Sequence, residues 1–285
     1  MKPAPFRYHS AKSIRDAVRI LSEIAPLEGR IIAGGQSLIP TMALRMAQPQ
    51  HLLDINGIDE LRHIREAGDY LAVGACVRHA AFEKPVSNNP IGAVLSGVVP
   101  YIAHYPIRTR GTFCGSLALA DPASEWCCVA ATLDATLIAE SAGGRREIAA
   151  ADFFEGIMAT SLEPDELLVE ARLPLLAPGT RSGFQEFSRR HGDFAIGMSL
   201  VVLRLAGDVI EDIRIGTGAD EASARRIRNA EAILLGQKPS EQLLAAASRE
   251  VADSIVPLED DMTSGGYRRE LIETLTFRAL QQALS

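Results

Sequence analysis

The chain has 285 residues, 47% of them hydrophobic, with a formal net charge of −7. This length and apolar content are enough for two modest domains or one large one with a substantial core. Nucleic-acid and membrane-surface partners both need a basic face, and an acidic chain without a lysine or arginine cluster offers none. The first 20 residues carry several charges and no apolar segment, so we expect no signal peptide, no membrane insertion and a cytoplasmic location.

The N-terminal region predicts a βαβαβ-like unit. Residues 6–9, 31–32 and 51–55 have strand character. Residues 13–24 combine a capping signal with an apolar helix face, and a second helix is expected over residues 38–45.

A glycine turn separates the second predicted strand from its helix. Gly34 and Gly35 permit close backbone approach, Ser37 is the expected cap, and Pro40 falls in the first helical turn, where a missing N–H removes no bond. Unpaired amides in such a turn suit an anion such as a diphosphate, although an ordinary strand-to-helix turn has the same residue pattern.

From residue 61 the pattern changes to short alternating segments, which indicates an antiparallel lobe. Helices are expected near residues 78–83 and 91–103. The predicted strands cover residues 61–65, 70–74, 135–140, 145–149 and 167–173.

A second glycine-rich segment covers residues 108–122. Its small residues allow backbone amides to face a ligand, and Asp121 is the predicted cap of a helix opened by Pro122, with Glu125 one turn inside. A carboxylate at a helix N-terminus is also favoured without any ligand, so that purely structural alternative stays open for both acids.

Residues 175–182 contain Pro178 and Gly179 in an irregular, polar setting, and we place a domain boundary there. Beyond it, the sequence predicts a three-stranded antiparallel sheet with a helical layer. The strands are expected near 183–189, 197–206 and 209–216, and the helices near 222–235, 240–254 and 264–284. The predicted fold is α+β, with domains 1–176 (lobes of about 1–56 and 57–176) and 177–285.

Several familiar motifs are incomplete. The four cysteines form no C-x-x-C pair, which argues against an iron–sulfur or zinc site in this chain. Residues 216–221 lack the third glycine of a dinucleotide fingerprint, and residues 35–39 lack the second glycine of a nucleophile elbow. The six histidines show no metal-binding spacing. We therefore expect no metal site and no catalytic acid–base set.

Together, the two glycine segments and several shorter motifs resemble the medium, FAD-binding subunit of the molybdenum hydroxylases, the group that includes xanthine dehydrogenase and carbon monoxide dehydrogenase. The resemblance spans nearly the whole chain. It implies a two-lobed FAD-binding domain of the PCMH type, followed by the C-terminal domain of medium subunits. The matching segments are residues 33–37, 53–55, 107–112, 121–125, 164–168 and 187–195.

The resemblance also assigns cofactor-binding residues. Two loops would hold the FAD diphosphate, and Asp121 belongs to the matched motif around Glu125, the acidic position that bonds the adenosine ribose. Ile102 and Leu168 would pack near the cofactor, while Gln185 and Phe194 match positions that touch the flavin ring. The diphosphate residues are Ile31, Ile32, Ala33, Gly34, Gly35, Gln36, Ser37, Thr112, Cys114, Gly115 and Ser116.

Two positions depart from the family pattern. Cys114 replaces the first glycine of the usual Thr-x-Gly-Gly loop, so that loop must accommodate a Cβ. Gln185 stands where some relatives have lysine, which would change the flavin environment.

The implied function is electron transfer by non-covalent FAD. The [2Fe-2S] clusters would lie on a small partner subunit and the molybdopterin on a large one, in a dimer of heterotrimers. Two alternatives remain open: a stand-alone FAD-dependent reductase or oxidase of the same superfamily, and a nucleotide-binding scaffold without redox function.

Overall fold

The N-terminal lobe is a small parallel sheet, as the βαβαβ-like pattern predicts. A computed structural model describes residues 2–261 and 263–285. In that part of the chain, the strands of this N-terminal sheet follow the order β1-β3-β2. Ser13 accepts a hydrogen bond from the backbone N–H of Asp16 and caps the first helix. The elements are β1 (Arg7–Ser10), α1 (Ile14–Ile24), β2 (Gly29–Ile32), α2 (Leu38–Ala43) and β3 (His51–Asp54).

The middle lobe is an antiparallel sheet covered by short helices. Among the described residues, the order of this middle sheet is β4-β5-β10-β6-β7. Its elements are β4 (Ile64–Ala67), β5 (Tyr70–Gly74), α3 (Pro90–Val98), α4 (Tyr105–Arg108), α5 (Phe113–Leu119), α6 (Glu125–Thr132), β6 (Thr136–Ser141), β7 (Gly144–Ala149), α7 (Ala150–Phe153), β8 (Phe154–Gly156), β9 (Ala159–Thr160) and β10 (Leu167–Pro174).

The second glycine segment corrects one expectation. Asp121 does not cap a helix: it accepts a hydrogen bond from the backbone N–H of Ala123 at 2.9 Å, and α6 begins only at Glu125, after its N-cap Ser124. An aspartate that bonds its own backbone two residues on closes a local turn, which competes with helix formation. Glu125 is therefore the first residue of α6 and does not lie one turn inside it.

The C-terminal domain has one strand more than predicted. Within the described residues its sheet has four strands in the order β11-β12-β13-β14 rather than three, because Arg225 and Arg226 pair with Thr217 and Gly216. Because of this pairing, the first helix of the domain begins at residue 228 and not at the expected residue 222. The elements are β11 (Arg181–Phe187), β12 (Gly197–Ala206), β13 (Val209–Gly218), β14 (Arg225–Arg226), α8 (Arg228–Leu234), α9 (Glu241–Ser254) and α10 (Gly265–Leu284).

The C-terminal sheet is buried on both faces. Met198 and Leu200 on β12 belong to the hydrophobic cluster of the first two lobes, whereas Val201 and Leu203 pack with the C-terminal helices. Successive strand residues point to opposite faces, so the apolar run in β12 is that of a fully covered strand. The sheet thus joins the middle lobe to helices α8–α10. Among the described residues, the helices are too short or too polar to cross a membrane.

Candidate cofactor site

Both glycine segments line one cavity of about 590 Å³. Its size falls in the range of roughly 300–1,000 Å³ that is usual for small-molecule sites. The segment that carries β8 and β9, which the sequence did not indicate, forms a further wall with Met158, Thr160 and Leu162. The predicted residues that line the cavity are Ile31, Ile32, Ala33, Gly34, Gly35, Gln36, Ser37, Thr112, Cys114, Gly115, Ser116 and Leu168.

The first glycine loop, residues 33–37, presents a row of open amides. Among the described residues, the backbone N–H groups of Gly34, Gly35, Gln36 and Ser37 donate to no protein acceptor. Gly35 has φ +70°, and the Ser37 hydroxyl does not cap α2. Successive free amides form a concave anion site, and each charge-assisted hydrogen bond there contributes roughly 1.5–3 kcal/mol. This row fits a diphosphate.

The two loops touch through backbone atoms. A Cβ built on Gly34 would lie 2.5 Å from the carbonyl oxygen of Arg110 and 2.7 Å from the Cα of Gly111. Because both neighbours are backbone, the contact leaves no room for a side chain. Gly34 is therefore required by the approach of the second loop.

Most amides of the second glycine loop, residues 111–116, already donate to acceptors within the protein. Phe113 donates its N–H to the carbonyl oxygen of Val77 at 3.0 Å, and Gly115 donates to Thr112 Oγ1 at 3.0 Å. Cys114 occupies a helical position in α5, where a Cβ is tolerated. Its buried Sγ donates to the carbonyl oxygen of Val73 at 3.6 Å, and burial raises the pKa of the Cys114 thiol above its ordinary range.

A side-chain network that the sequence did not reveal ties the two loops together. Arg78 donates to Asn56 Oδ1 at 2.6 Å and to the carbonyl oxygen of Arg110. Asn56 in turn donates to the carbonyl oxygen of Ala33 at 2.7 Å and to Asp54 Oδ1 at 2.7 Å. One signal was readable: Asp54 and Asn56 lie at the carboxyl end of a parallel strand, where ligand sites of open α/β sheets occur.

Asp54 is ionised in this network. Burial acts to raise its pKa, but hydrogen bonds from the Tyr8 hydroxyl and from Asn56 outweigh burial and hold the pKa of Asp54 below its ordinary value. Its carboxylate, at the carboxyl end of β3, accepts a hydrogen bond from the Asn56 side-chain amide. Because Asn56 also donates to the carbonyl oxygen of Ala33, the first loop is linked through Asn56 to an ionised carboxylate.

Five predicted residues lie outside the cavity lining. Ile102 is buried in the hydrophobic core, and Phe194 is 77% exposed in the segment between β11 and β12. Gln185 donates its Nε2–H to Gln282 Oε1 of α10 at 2.8 Å, which puts its side chain on the helical side of the C-terminal sheet. Asp121 and Glu125 lie between α5 and the first turn of α6.

Glu186 occupies the opposite face of β11 from Gln185, towards Glu125 of the middle lobe. Burial raises the pKa of Glu186, and the nearby charge of Glu125 raises it further. Burial likewise raises the pKa of Glu125 above its ordinary value. Glu186 Oε2 is buried and finds no hydrogen-bond partner among the described residues. The two facing carboxyl groups therefore favour a protonated state at the domain interface.

The comparisons with known proteins agree with this architecture. The family described as "FAD binding domain in molybdopterin dehydrogenase" matches residues 4–176. The family described as "CO dehydrogenase flavoprotein C-terminal domain" matches residues 182–283. The two matches together cover most of the chain.

Similar proteins match over nearly their full length. The nicotine 6-hydroxylase medium subunit of Paenarthrobacter nicotinovorans is 38% identical over 99% of each chain. The carbon monoxide dehydrogenase medium chain of Hydrogenophaga pseudoflava is 34% identical over 99% of this chain and 98% of that one.

Solved structures show the same fold. A chain of the Hydrogenophaga pseudoflava carbon monoxide dehydrogenase that lacks the Mo-pyranopterin moiety superposes with a TM-score of 0.95 at 35% identity, over 100% of this chain and 99% of that one. A chain of quinoline 2-oxidoreductase from Pseudomonas putida 86 gives 0.93 at 34% identity, over 99% and 98%. The chain therefore belongs to the FAD-binding medium subunits of the molybdenum hydroxylases, which are flavoprotein subunits of oxidoreductases.

Proposed function

We propose that this chain carries FAD and passes electrons from a [2Fe-2S] subunit to an external acceptor in a molybdenum hydroxylase complex. The observation that carries the proposal is the row of open amides at residues 34–37, in a cavity of about 590 Å³ that both glycine segments line. Bound FAD supplies the electron-accepting chemistry, and the chain supplies binding and orientation.

Each part of the cavity then has a role. The amides of the first loop hold the diphosphate, and the second loop, fixed by Arg78, closes the opposite wall. Leu168 packs against an apolar part of the cofactor. Glu125 lies outside the cavity lining, at the start of α6, and its proposed bond to the ribose rests on the family motif alone. Phe194 is exposed enough to cover the flavin ring.

The FAD is non-covalent in this proposal. Flavins that are tethered to protein use a histidine or cysteine side chain. Cys114 and His79 both line the cavity and both are buried, and the raised pKa of Cys114 disfavours its reactive thiolate. Acid precipitation should release all the flavin into the supernatant, and yellow colour in the pellet would contradict this.

The family supports a proposal for the partner subunits. Relatives are named medium subunit or medium chain of a hydroxylase or dehydrogenase, which supports a small iron–sulfur subunit and a large molybdopterin subunit as partners. We propose a dimer of heterotrimers in the cytoplasm, with substrate oxidation on the large subunit.

Rapid-mixing absorbance spectroscopy tests the proposal. The isolated, FAD-loaded chain should pass electrons from a strong artificial reductant to a dye, while a candidate heterocycle, aldehyde or carbon monoxide leaves its flavin oxidised. Adding both partner subunits should restore bleaching by substrate. Substrate-driven bleaching of the isolated chain would favour a stand-alone oxidoreductase, and failure to bind FAD would favour a scaffold.

A further inference from the structure

His79 lies in the wall of the cavity with one ring nitrogen already engaged. Its side chain is buried beneath the second glycine loop, and the Nε1–H of Trp126 donates to His79 Nδ1 at 2.9 Å. An indole N–H is only a donor, so Nδ1 must be the acceptor. The neutral His79 ring therefore carries its hydrogen on Nε2.

The Nε2 edge of His79 lies against the second loop. A Cβ built on Gly111 would be 2.5 Å from His79 Nε2 and 2.6 Å from Cδ2, and both residues line the cavity. Within the described part of the chain, no hydrogen-bond acceptor is paired with this nitrogen. Because His79 lines the cavity, this N–H can donate to an acceptor that a bound ligand supplies there.

The surroundings keep His79 neutral. Burial lowers the pKa of His79 to about 4, and the positive charges of Arg78 and Arg108 lower it further. The ring therefore offers a single donor in a fixed tautomer throughout the neutral range.

We propose that His79 is a ligand-binding residue whose Nε2–H donates to a phosphate oxygen of the bound dinucleotide, with Trp126 as the residue that positions it. This inference rests on the proposed FAD site and adds a side-chain donor to it. The open amides would hold the diphosphate from the first loop, and His79 would hold it from beneath the second.

Two amide variants of His79 test the roles of its two ring nitrogens separately. In His79→Asn the amide oxygen replaces Nδ1 and still accepts from Trp126, but the Nε2 donor is lost. In His79→Gln the amide nitrogen replaces Nε2 and retains the donor. We expect calorimetry on the FAD-free chain to show ADP binding about ten- to a hundredfold weaker in His79→Asn, and within about threefold of wild type in His79→Gln.

Adenosine provides the control ligand because it lacks phosphate. Its affinity should be the same in all three proteins, whereas a general distortion of the cavity would weaken adenosine and ADP alike. The inference is overturned if His79→Asn binds ADP as tightly as wild type, or if adenosine binding falls in parallel. If wild type itself binds neither ADP nor FAD, the proposed function fails instead.

Nitrogen-15 NMR of the wild-type chain tests the tautomer without any substitution. The ring nitrogens of His79 should show hydrogen on Nε2 between pH 6 and 8. Hydrogen on Nδ1, or a doubly protonated ring, would overturn the inference.

Discussion

The two glycine segments share a residue pattern but differ in where their amides point. In the first loop the amides of residues 34–37 are open, whereas in the second the N–H groups of Phe113 and Gly115 are taken by Val77 and Thr112. The first loop can therefore receive an anion directly. The second loop lines the cavity too, and its backbone packs against Gly34 of the first loop. Free amides, more than glycine content, distinguish an anion site from a capped helix.

The glycines of the two loops also serve different purposes. At Gly34 a Cβ would meet the backbone of the other loop, whereas at Gly115 it would meet Thr112 Oγ1 at 2.5 Å. A side chain can rotate away and a backbone cannot. An added side chain should therefore disturb the site most at the contact between the loops, at Gly34.

Replacing Gly34 by alanine should have the largest effect. The added Cβ must separate the loops, which costs about 1–3 kcal/mol of stability, and misplacing two or more amides should weaken FAD binding at least about a hundredfold. Flavin content after purification and urea unfolding measure the two effects. Gly97→Ala is the matched control, because nothing lies within 4 Å of its Cβ. Normal flavin content in Gly34→Ala would contradict the assignment of the first loop.

The two sides of the site should respond oppositely to pH. The lowered pKa of Asp54, beside the first loop, contributes stability that is present above its unfolded value of about 3.8 and lost as pH falls through the folded value. Beyond the second loop, the raised pKa values of Glu125 and Glu186 mean that the folded state holds protons that the unfolded state releases. The stability that these two carboxyl groups contribute is therefore lost as pH rises above their unfolded pKa of about 4.5 and through their folded pKa values.

Urea unfolding of the FAD-free chain at a series of pH values tests this contrast. Glu186→Gln should flatten the loss of stability on the alkaline side, and Asp54→Asn should flatten the loss on the acid side. The hypothesis of facing carboxyl groups fails if Glu186→Gln leaves the alkaline limb unchanged.

A smaller difference should separate Thr112 from Ser37. The Thr112 side chain caps α5, so Thr112→Val should reduce stability by about 1 kcal/mol. The Ser37 side chain caps nothing, so Ser37→Ala should change stability by less than about 0.5 kcal/mol. Thermal unfolding of the FAD-free chain compares them, and equal losses would mean that Ser37 caps α2 in solution.

The sequence predicted the elements whose signals are local. The apolar face of α1, its Ser13 cap and the glycine turn after β2 were all readable, and the family resemblance is confirmed by the matches over both parts of the chain. The Asp121 cap was wrong because its side chain closes a local turn instead. Strand β14 was missed because two residues carry no periodicity, and only their pairing with β13 makes them a strand.

Contacts between distant segments were beyond sequence reasoning. Arg78 and Trp126 show no motif, and Asn56 is marked only by its place after a parallel strand. Their hydrogen bonds exist only once the lobes have packed. The face of β11 is a similar case. Gln185 and Glu186 are neighbours in sequence, so an error of one residue exchanges the sides of the sheet, and only packing against α10 and the middle lobe decides between them.

Phe194 should show the smallest effect on stability and a selective effect on the flavin. Because its side chain is 77% exposed, Phe194→Ala should change the free energy of unfolding by less than about 0.5 kcal/mol and leave flavin content normal. If the ring covers the flavin, its removal should alter flavin reoxidation in the assembled complex more than substrate oxidation. Tyr267→Ala, at a 43% exposed aromatic on α10, is the control and should alter neither rate. Equal reoxidation rates in wild type and Phe194→Ala would place the flavin ring away from this loop, and the exposed ring would then need a different explanation.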